Sequence, residues 1–529
     1  MNKHWAWLAL GAALLTAAAC EGRPVVVAPP AAKTRASELV GPDLFQEMAT
    51  PAAVDFAFRN GEDADPPVRS ILEALGGGVA LLDFDGDGLL DLYFPGGGGF
   101  GGPGNTQVRG HAGKFFRNRG AWRFEDVTRQ VGLDTLAGGQ PWFYSHAAAV
   151  ADFDRDGWPD LLATGWGRIA LFRNVPDPKG GRRFKDVSAR AGLDRGITWA
   201  TSAAWADLDG DGWPDLYVCQ YVDWSFANHP SCTYDGKTPD LCTPKAFRGL
   251  PHKLFRNTTD GRFVDVSVTA GLRDGGADTS KGLGVLVVDV NLDGKPDVYV
   301  ANDTTENFLY INHSRPGAIV LREQGMLAGV ARDGAGAANG SMGLDAGDPY
   351  GSGQPALFVT NYENELHALY KNVAAQDRIL FLYDSPGAGL AMLSRAYVGW
   401  GTGFTDLELR GWEDLFFVNG HVIRHHPKGA PRPQRPVLLR GSDGRFQDIT
   451  ERGGSYFRQL HAARGAALGD LDNDGKVDLV VSHINEPAAV LRNVAEAGNH
   501  WLGVALAGRN HADFVGARVI LRAGGRTQT

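Results

Sequence analysis

At about 150 residues per domain, a chain of 529 residues is long enough for three or four domains, or for one large ring of repeats. Its 71 Gly and 28 Pro exclude a mainly helical protein, and 43% hydrophobic with 10% aromatic residues exclude a disordered one. With 52 basic against 61 acidic residues, a net charge of −9 and no basic block, nucleic acid is not an expected partner.

The first expected element is an export signal over residues 1–20. Lys3 precedes an apolar run from Trp5 to Leu15, too short to anchor in a bilayer, and small residues lead to Cys20. Thr16-Ala17-Ala18-Ala19-Cys20 resembles a bacterial lipoprotein cleavage site, which implies acylation of Cys20; an ordinary signal peptide is the alternative. Lipidation of Cys20 is the one membrane attachment expected. Glu21 after the Cys leans towards the outer membrane, and residues 21–40, with Pro24, Pro29 and Pro30, read as a tether.

From 41 to 497 one pattern recurs: Asp-x-Asp-x-Asp-Gly-x-x-Asp. It is intact at Asp83-Asp85-Asp87-Asp91, at Asp152-Asp154-Asp156-Asp160, at Asp207-Asp209-Asp211-Asp215 and at Asp470-Asp472-Asp474-Asp478. A further copy, Asp289-Asn291-Asp293-Asp297, carries Asn at its second position. Two worn copies begin at Asp348 and Asp406, the latter with Glu408, Arg410 and Asp414. Each loop follows an apolar run and precedes a β-rich run such as Asp215-Leu216-Tyr217-Val218. A short strand with a polar cap comes next (Leu171-Phe172-Arg173-Asn174), and then an alternating one (Phe184-Lys185-Asp186-Val187-Ser188).

Four short strands per repeat, seven times, predict an all-β, seven-bladed propeller; a solenoid is the competitor. The last repeat lacks its fourth strand, and Leu44 to Thr50 supplies a candidate, which closes the ring and hides sheet edges. The Gly-rich stretch Gly96 to Gly113 reads as a flexible surface loop.

Carboxylates at positions 1, 3, 5 and 9 of a tight turn, with Gly at position 6, supply hard oxygen ligands for calcium. No Glu stands at the twelfth position and no helices flank the loops, so these are strand-loop-strand sites. About five structural calcium ions are expected; a merely Asp-rich turn is the plain alternative. In the sixth loop Arg410 stands at a ligand position and is expected to bridge Asp406, Glu408 and Asp414.

Cys232 and Cys242 share one Pro-rich loop, and in an oxidising compartment they are expected to pair, leaving Cys219 a buried thiol. His421, His425 and His426 lie on a loop after a blade strand, without a nearby carboxylate in a recognisable metallo-hydrolase arrangement; they read as a solvated loop with one packed His, a transition-metal or acid/base role being the alternative. Trp142, Trp166, Trp199, Trp224 and Trp400 either pack between blades or line a carbohydrate-binding face. His146 and His461 read as packing residues. No catalytic residues are assigned.

These loops and strands resemble the FG-GAP and VCBS repeats of integrin-like propellers. From about residue 41 the chain resembles the ASPIC/UnbV (cartilage acidic protein-like) family. Gly498-Asn499-His500-Trp501-Leu502-Gly503-Val504, Gly516-Ala517-Arg518-Val519 and Ala523-Gly524-Gly525-Arg526-Thr527-Gln528 resemble the start of that family's C-terminal domain. Residues 498–529 therefore read as a partial domain, with a last alternating strand from Ala517 to Leu521. The resemblance implies no established reaction. It implies an exported, calcium-stabilised propeller that binds or scaffolds an unknown protein or glycan at the bacterial cell envelope, periplasmic or at the outer membrane. A secreted propeller enzyme acting on glycans is the alternative.

Overall fold

Strand after strand in this chain is apolar on both faces, as in Asp160–Gly165 and Asp297–Asn302, where every residue is buried. Such strands need cover on both sides, and the chain provides it by stacking sheets face to face. The computed structural model describes residues 41–273, 280–374, 378–426, 429–496, 498–504, 506, 518–523 and 526–528. The export signal, the tether and Cys20 lie outside the described residues, as do residues 507–517 of the tail.

Among the described residues, seven four-stranded antiparallel sheets follow one another as blades. Blade one runs Ala80–Leu82, Asp91–Phe94, Lys114–Asn118 and Phe124–Asp126. Blades two to six repeat this order. The seventh contains Ala463–Gly469, Asp478–His483 and Ala489–Asn493, and takes its fourth strand from the start of the chain: Phe45–Glu47. Phe45 is opposite Asn493 and Glu47 opposite Leu491, as the missing last strand implied.

Each blade buries its faces against its neighbours. Leu161 and Phe172 of blade two pack with Phe115 of blade one, and Leu216 and Phe255 of blade three pack with Leu162 and Leu171. Where seven inner strands converge, space is short and small residues are required: a Cβ on Gly343 would sit 1.9 Å from the Trp400 carbonyl oxygen. The result is a channel of about 230 Å³ lined largely by Gly and Ala, with Arg464 and His146.

The asparagine ending each third strand stitches the ring. Its side-chain amide donates to the carbonyl at the second position of the preceding blade's acidic loop. Asn174 reaches Phe84, Asn257 reaches Phe153, Asn312 reaches Leu208, Asn372 reaches Val290, Asn493 reaches Leu407 and Asn118 reaches Leu471, at 2.8–3.0 Å. Blade six has Gly441 where the others have Asn, and there the Gly444 backbone N–H takes over, donating to Pro349 O at 2.7 Å. Every blade junction is thereby linked.

One expectation is corrected. The Gly96–Gly113 stretch is no loose surface loop: Gly98–Gly101 and Gln107–Gly110 form a hairpin, and Gly96 to Gly98 are buried. Gly97 has a φ of +73°, and a Cβ there would lie 2.1 Å from Arg59 O. The glycines let backbones meet. The loop of the cysteines forms a second small hairpin, Cys232–Thr233 with Pro239–Asp240, closed by the expected Cys232–Cys242 disulfide; Cys219 is buried and unpaired. In the tail, the strand expected over 517–521 is placed at Leu521–Ala523, paired with Arg526–Gln528.

Candidate functional site

The acidic loops join the first to the second strand of each blade, so they share one face of the ring. The first Asp shapes the turn. Asp83 accepts backbone N–H bonds from Gly86 and Asp87 through Oδ1 and from Gly88 through Oδ2, at 2.9–3.1 Å. Asp152, Asp207, Asp289 and Asp470 do the same for the residues four and five further on. The sixth-position Gly allows it: φ is +84° at Gly88 and +90° at Gly157, where L side chains are strained.

The ninth-position Asp does more than sequence reasoning assigned to it. Asp91 accepts from Phe84 N at 3.1 Å and from Asn118 N at 2.7 Å, tying the loop to the third strand. Asp160, Asp215, Asp297 and Asp478 make the same two bonds. Burial raises these carboxyls, with neighbouring carboxylates adding to it: to about 7 for Asp91, Asp297 and Asp478, about 8 for Asp215 and about 9 for Asp160.

The fifth-position Asp87, Asp156, Asp211, Asp293 and Asp474 each accept the N–H two residues on. At the third position Asp85, Asp154 and Asp472 each keep a buried Oδ1 with no hydrogen-bond partner among the described residues. In the first three loops the oxygens of positions 1, 3 and 9 lie within 4.8 Å of one another. Buried, converging and partly unsatisfied carboxylate oxygens fit a hard divalent cation of the calcium type. Asp209 differs, accepting from Gly317 N, and Asn291 turns its amide to Asp293.

Sequence reasoning missed the arginine of the third strand. Arg117 pairs with Asp85 and Asp87, Arg173 with Asp154 and Asp156, and Arg492 with Asp472 and Asp474. These guanidiniums offset part of the loop charge from the rim. The sixth loop carries the idea further: Arg410 pairs with Glu408 and Asp414, and Asp406 accepts from the Arg410 and Gly411 backbone N–H groups. In the fifth loop Asp348 binds Ser352 and Gly353, and Ala356 leaves the ninth position empty of charge.

The loops between second and third strands form the opposite face. There the cysteine hairpin, the 303–307 and 361–367 loops and Trp400 enclose a cavity of about 330 Å³. Tyr221 donates to Asp303 at 2.6 Å, and Glu365 accepts from Gly340 N at 2.8 Å. Burial lifts Asp303 to about 6 and Glu365 to about 7. Glu363 also faces this cavity and meets two of the three noted histidines, His421 and His426; His425 turns instead towards Asp240. Glu363 carried no sequence signal, because it is adjacent to them only across a blade junction.

The tryptophans mostly pack. Trp199 and Trp224 are fully buried, Trp142 stacks on Phe172 at 5.3 Å, and Trp400 lies under the Arg464 guanidinium at 4.2 Å. His146 accepts from Trp199 Nε1 at 2.9 Å, and His461 stacks on Tyr456.

A family model described as FG-GAP-like repeat matches residues 83–163 and 152–218. Cartilage acidic protein 1 of Homo sapiens is 22% identical over 461 residues, covering 84% of this chain and 53% of the relative. The Xenopus tropicalis protein is 24% identical over 445 residues, covering 72% and 64%. The chain thus spans between half and two thirds of the length of these relatives. Among solved structures, an Agrocybe aegerita lectin that recognises non-reducing terminal N-acetylglucosamine is similar at a TM-score of 0.43 and 15% identity, over 78% of this chain and 87% of the lectin.

Proposed function

We propose that this chain, which carries FG-GAP repeats and is homologous to cartilage acidic protein 1 of the ASPIC/UnbV family over most of its length, is an exported binding or scaffold propeller held rigid by calcium. One observation carries the reading: the two faces divide the work. Converging carboxylates stiffen one face, and long loops wall a cavity on the other. A preformed cavity with a few fixed polar groups is the usual form of a ligand site. The ligand class is a protein or glycan of the bacterial envelope. Export is supported by the apolar leader and by the Cys232–Cys242 bond beside the cavity, since disulfides persist in oxidising compartments. Acylation of Cys20 would tether the ring to a membrane.

The alternative, an enzyme acting on glycans, draws on two carboxyls of one cavity, Asp303 and Glu365, whose burial holds them near neutral titration. The test presents the full chain with arrays of envelope glycans and proteins, in calcium and after chelation. Tyr234 lines the cavity from the cysteine hairpin, its hydroxyl donating to Leu241 O at 2.8 Å; binding in calcium that Tyr234→Ala weakens, without change in melting temperature, supports the proposal. Binding indifferent to that change, or turnover of a bound glycan, overturns it.

A further inference from the structure

Glu363 and the pair His421 and His426 come from facing loops of blades five and six. His426 Nε2 lies 2.8 Å from Glu363 Oε1, and His421 Nε2 lies 3.6 Å from the same oxygen. The two imidazole centroids are 5.0 Å apart, and the three ligand atoms all fall within 4.8 Å of one another. Four-coordinate zinc, with bonds of about 2.0–2.2 Å, needs donor atoms about 3.3 Å apart. The two measured separations straddle that edge.

The His421 side chain is buried, and its Nδ1 lies 3.0 Å from the Ile423 N–H and 3.2 Å from the Ile423 carbonyl, which fixes the ring with Nε2 towards Glu363 and Tyr362 Oη. Metal at Nε2 selects the tautomer in which Nδ1 carries the proton and donates to that carbonyl, in place of the one in which Nδ1 accepts from a backbone N–H, as His426 Nδ1 does from Ala430. Nearby arginines are engaged elsewhere: Arg424 with Glu62 and Glu73, and Arg432 with Glu62. The ion pairs of Glu363 among the described residues are with the two histidines. Glu363 and His426 line the 330 Å³ cavity, so the side of the cluster away from the backbone faces open space.

We propose that Glu363, His421 and His426 bind one divalent transition-metal ion of the zinc class, with a fourth coordination position open to the cavity. Two nitrogens and one carboxylate oxygen suit that ion and not calcium, which takes six to eight oxygens. The acidic loops are on the other face of the ring, so this site is chemically and spatially separate from them. An oxygen or nitrogen donor on a cavity ligand would complete the shell.

The test uses the full chain, stripped of metal and then saturated with calcium to occupy the acidic loops. Titration with Zn2+ and Co2+ should show one tight site, with the visible bands of four-coordinate cobalt. Glu363→Gln and His426→Asn should each weaken affinity at least about 100-fold, while the melting temperature in calcium stays unchanged. His425→Ala should leave affinity unchanged. Imidazole or azide should shift the cobalt bands by entering the open position. His421 is not substituted, because it is buried. Zn2+ affinity equal in Glu363→Gln, His426→Asn and the parent chain would leave the cluster a plain hydrogen-bonded network and overturn the site. Cobalt bands indifferent to added donors would overturn the open position.

Discussion

Asn312 is buried, and its amide donates at 2.9 Å to Leu208 in the preceding blade and at 2.9 Å to Pro296 in its own. Asn312→Leu fills similar space but leaves two buried carbonyls unpaired, at about 1–3 kcal/mol each before relaxation. Calorimetry should show a lower melting temperature with the same blade content; an unchanged value would show the stitch to be slack. The buried histidines give a pH dependence. Burial lowers His146, His252 and His367 to about 3 and His483 to about 4. Each folded value is below the ordinary 6.5. Their contribution to stability is therefore complete above about pH 6.5 and is lost as pH falls towards 3 to 4. His146→Gln should flatten the fall in melting temperature between pH 6.5 and 4; an identical slope would count against this assignment. At this scale the sequence was legible in residue type and not in partner. The Phe-Arg-Asn cap was visible, yet its Asn bonds across a blade junction and its Arg bonds back to the acidic loop, and neither contact leaves a mark in local spacing.

The acidic loops were the most legible elements, since the turn is built by its own residues. What spacing could not show is that the ninth Asp braces the third strand as well as facing the loop. Calcium should bind the folded loops far better than the unfolded chain, adding about 2.7 kcal/mol per site at a hundredfold excess over Kd. Chelation should lower the melting temperature, and magnesium should restore it poorly because it demands a smaller octahedral shell. Asp211→Ala should cost one site its ligand and leave the others intact. Asp348→Ala should lower the melting temperature equally with and without calcium, because Asp348 holds the Ser352 and Gly353 N–H groups in a loop without a ninth carboxylate. Melting curves identical in calcium and in chelator would return the loops to plain acidic turns. The second-to-third-strand loops were the least legible elements. Their shape is set by packing on one another, as in the Gly97–Arg59 approach and the Glu363–His426 pair.

The ring as a whole could be read from seven repeats and one missing strand, because closure leaves an arithmetic trace. Deleting residues 41–50 tests it. The last blade would lose the Phe45–Glu47 ladder, the cover of Leu44 and Phe45, and the Val494 N–H bond to Leu44 O. Ala489–Asn493 would then be a bare edge, and proteolysis near it together with a lower melting temperature is expected. Resistance equal to the parent chain would mean that closure is not needed. The same ladder also sets a schedule. The strand at Phe45 is among the first parts of the ring to be made, and its partner at Asn493 among the last. At about 5–20 residues per second of synthesis, the first strand waits on the order of a minute for its neighbour. Closure entropy rises only logarithmically with length, so the span itself costs little. The exposure is one of time: for that minute Leu44, Phe45 and the flank of blade one stand uncovered, and any factor that holds the early chain apart from other chains guards the step on which the whole circle depends.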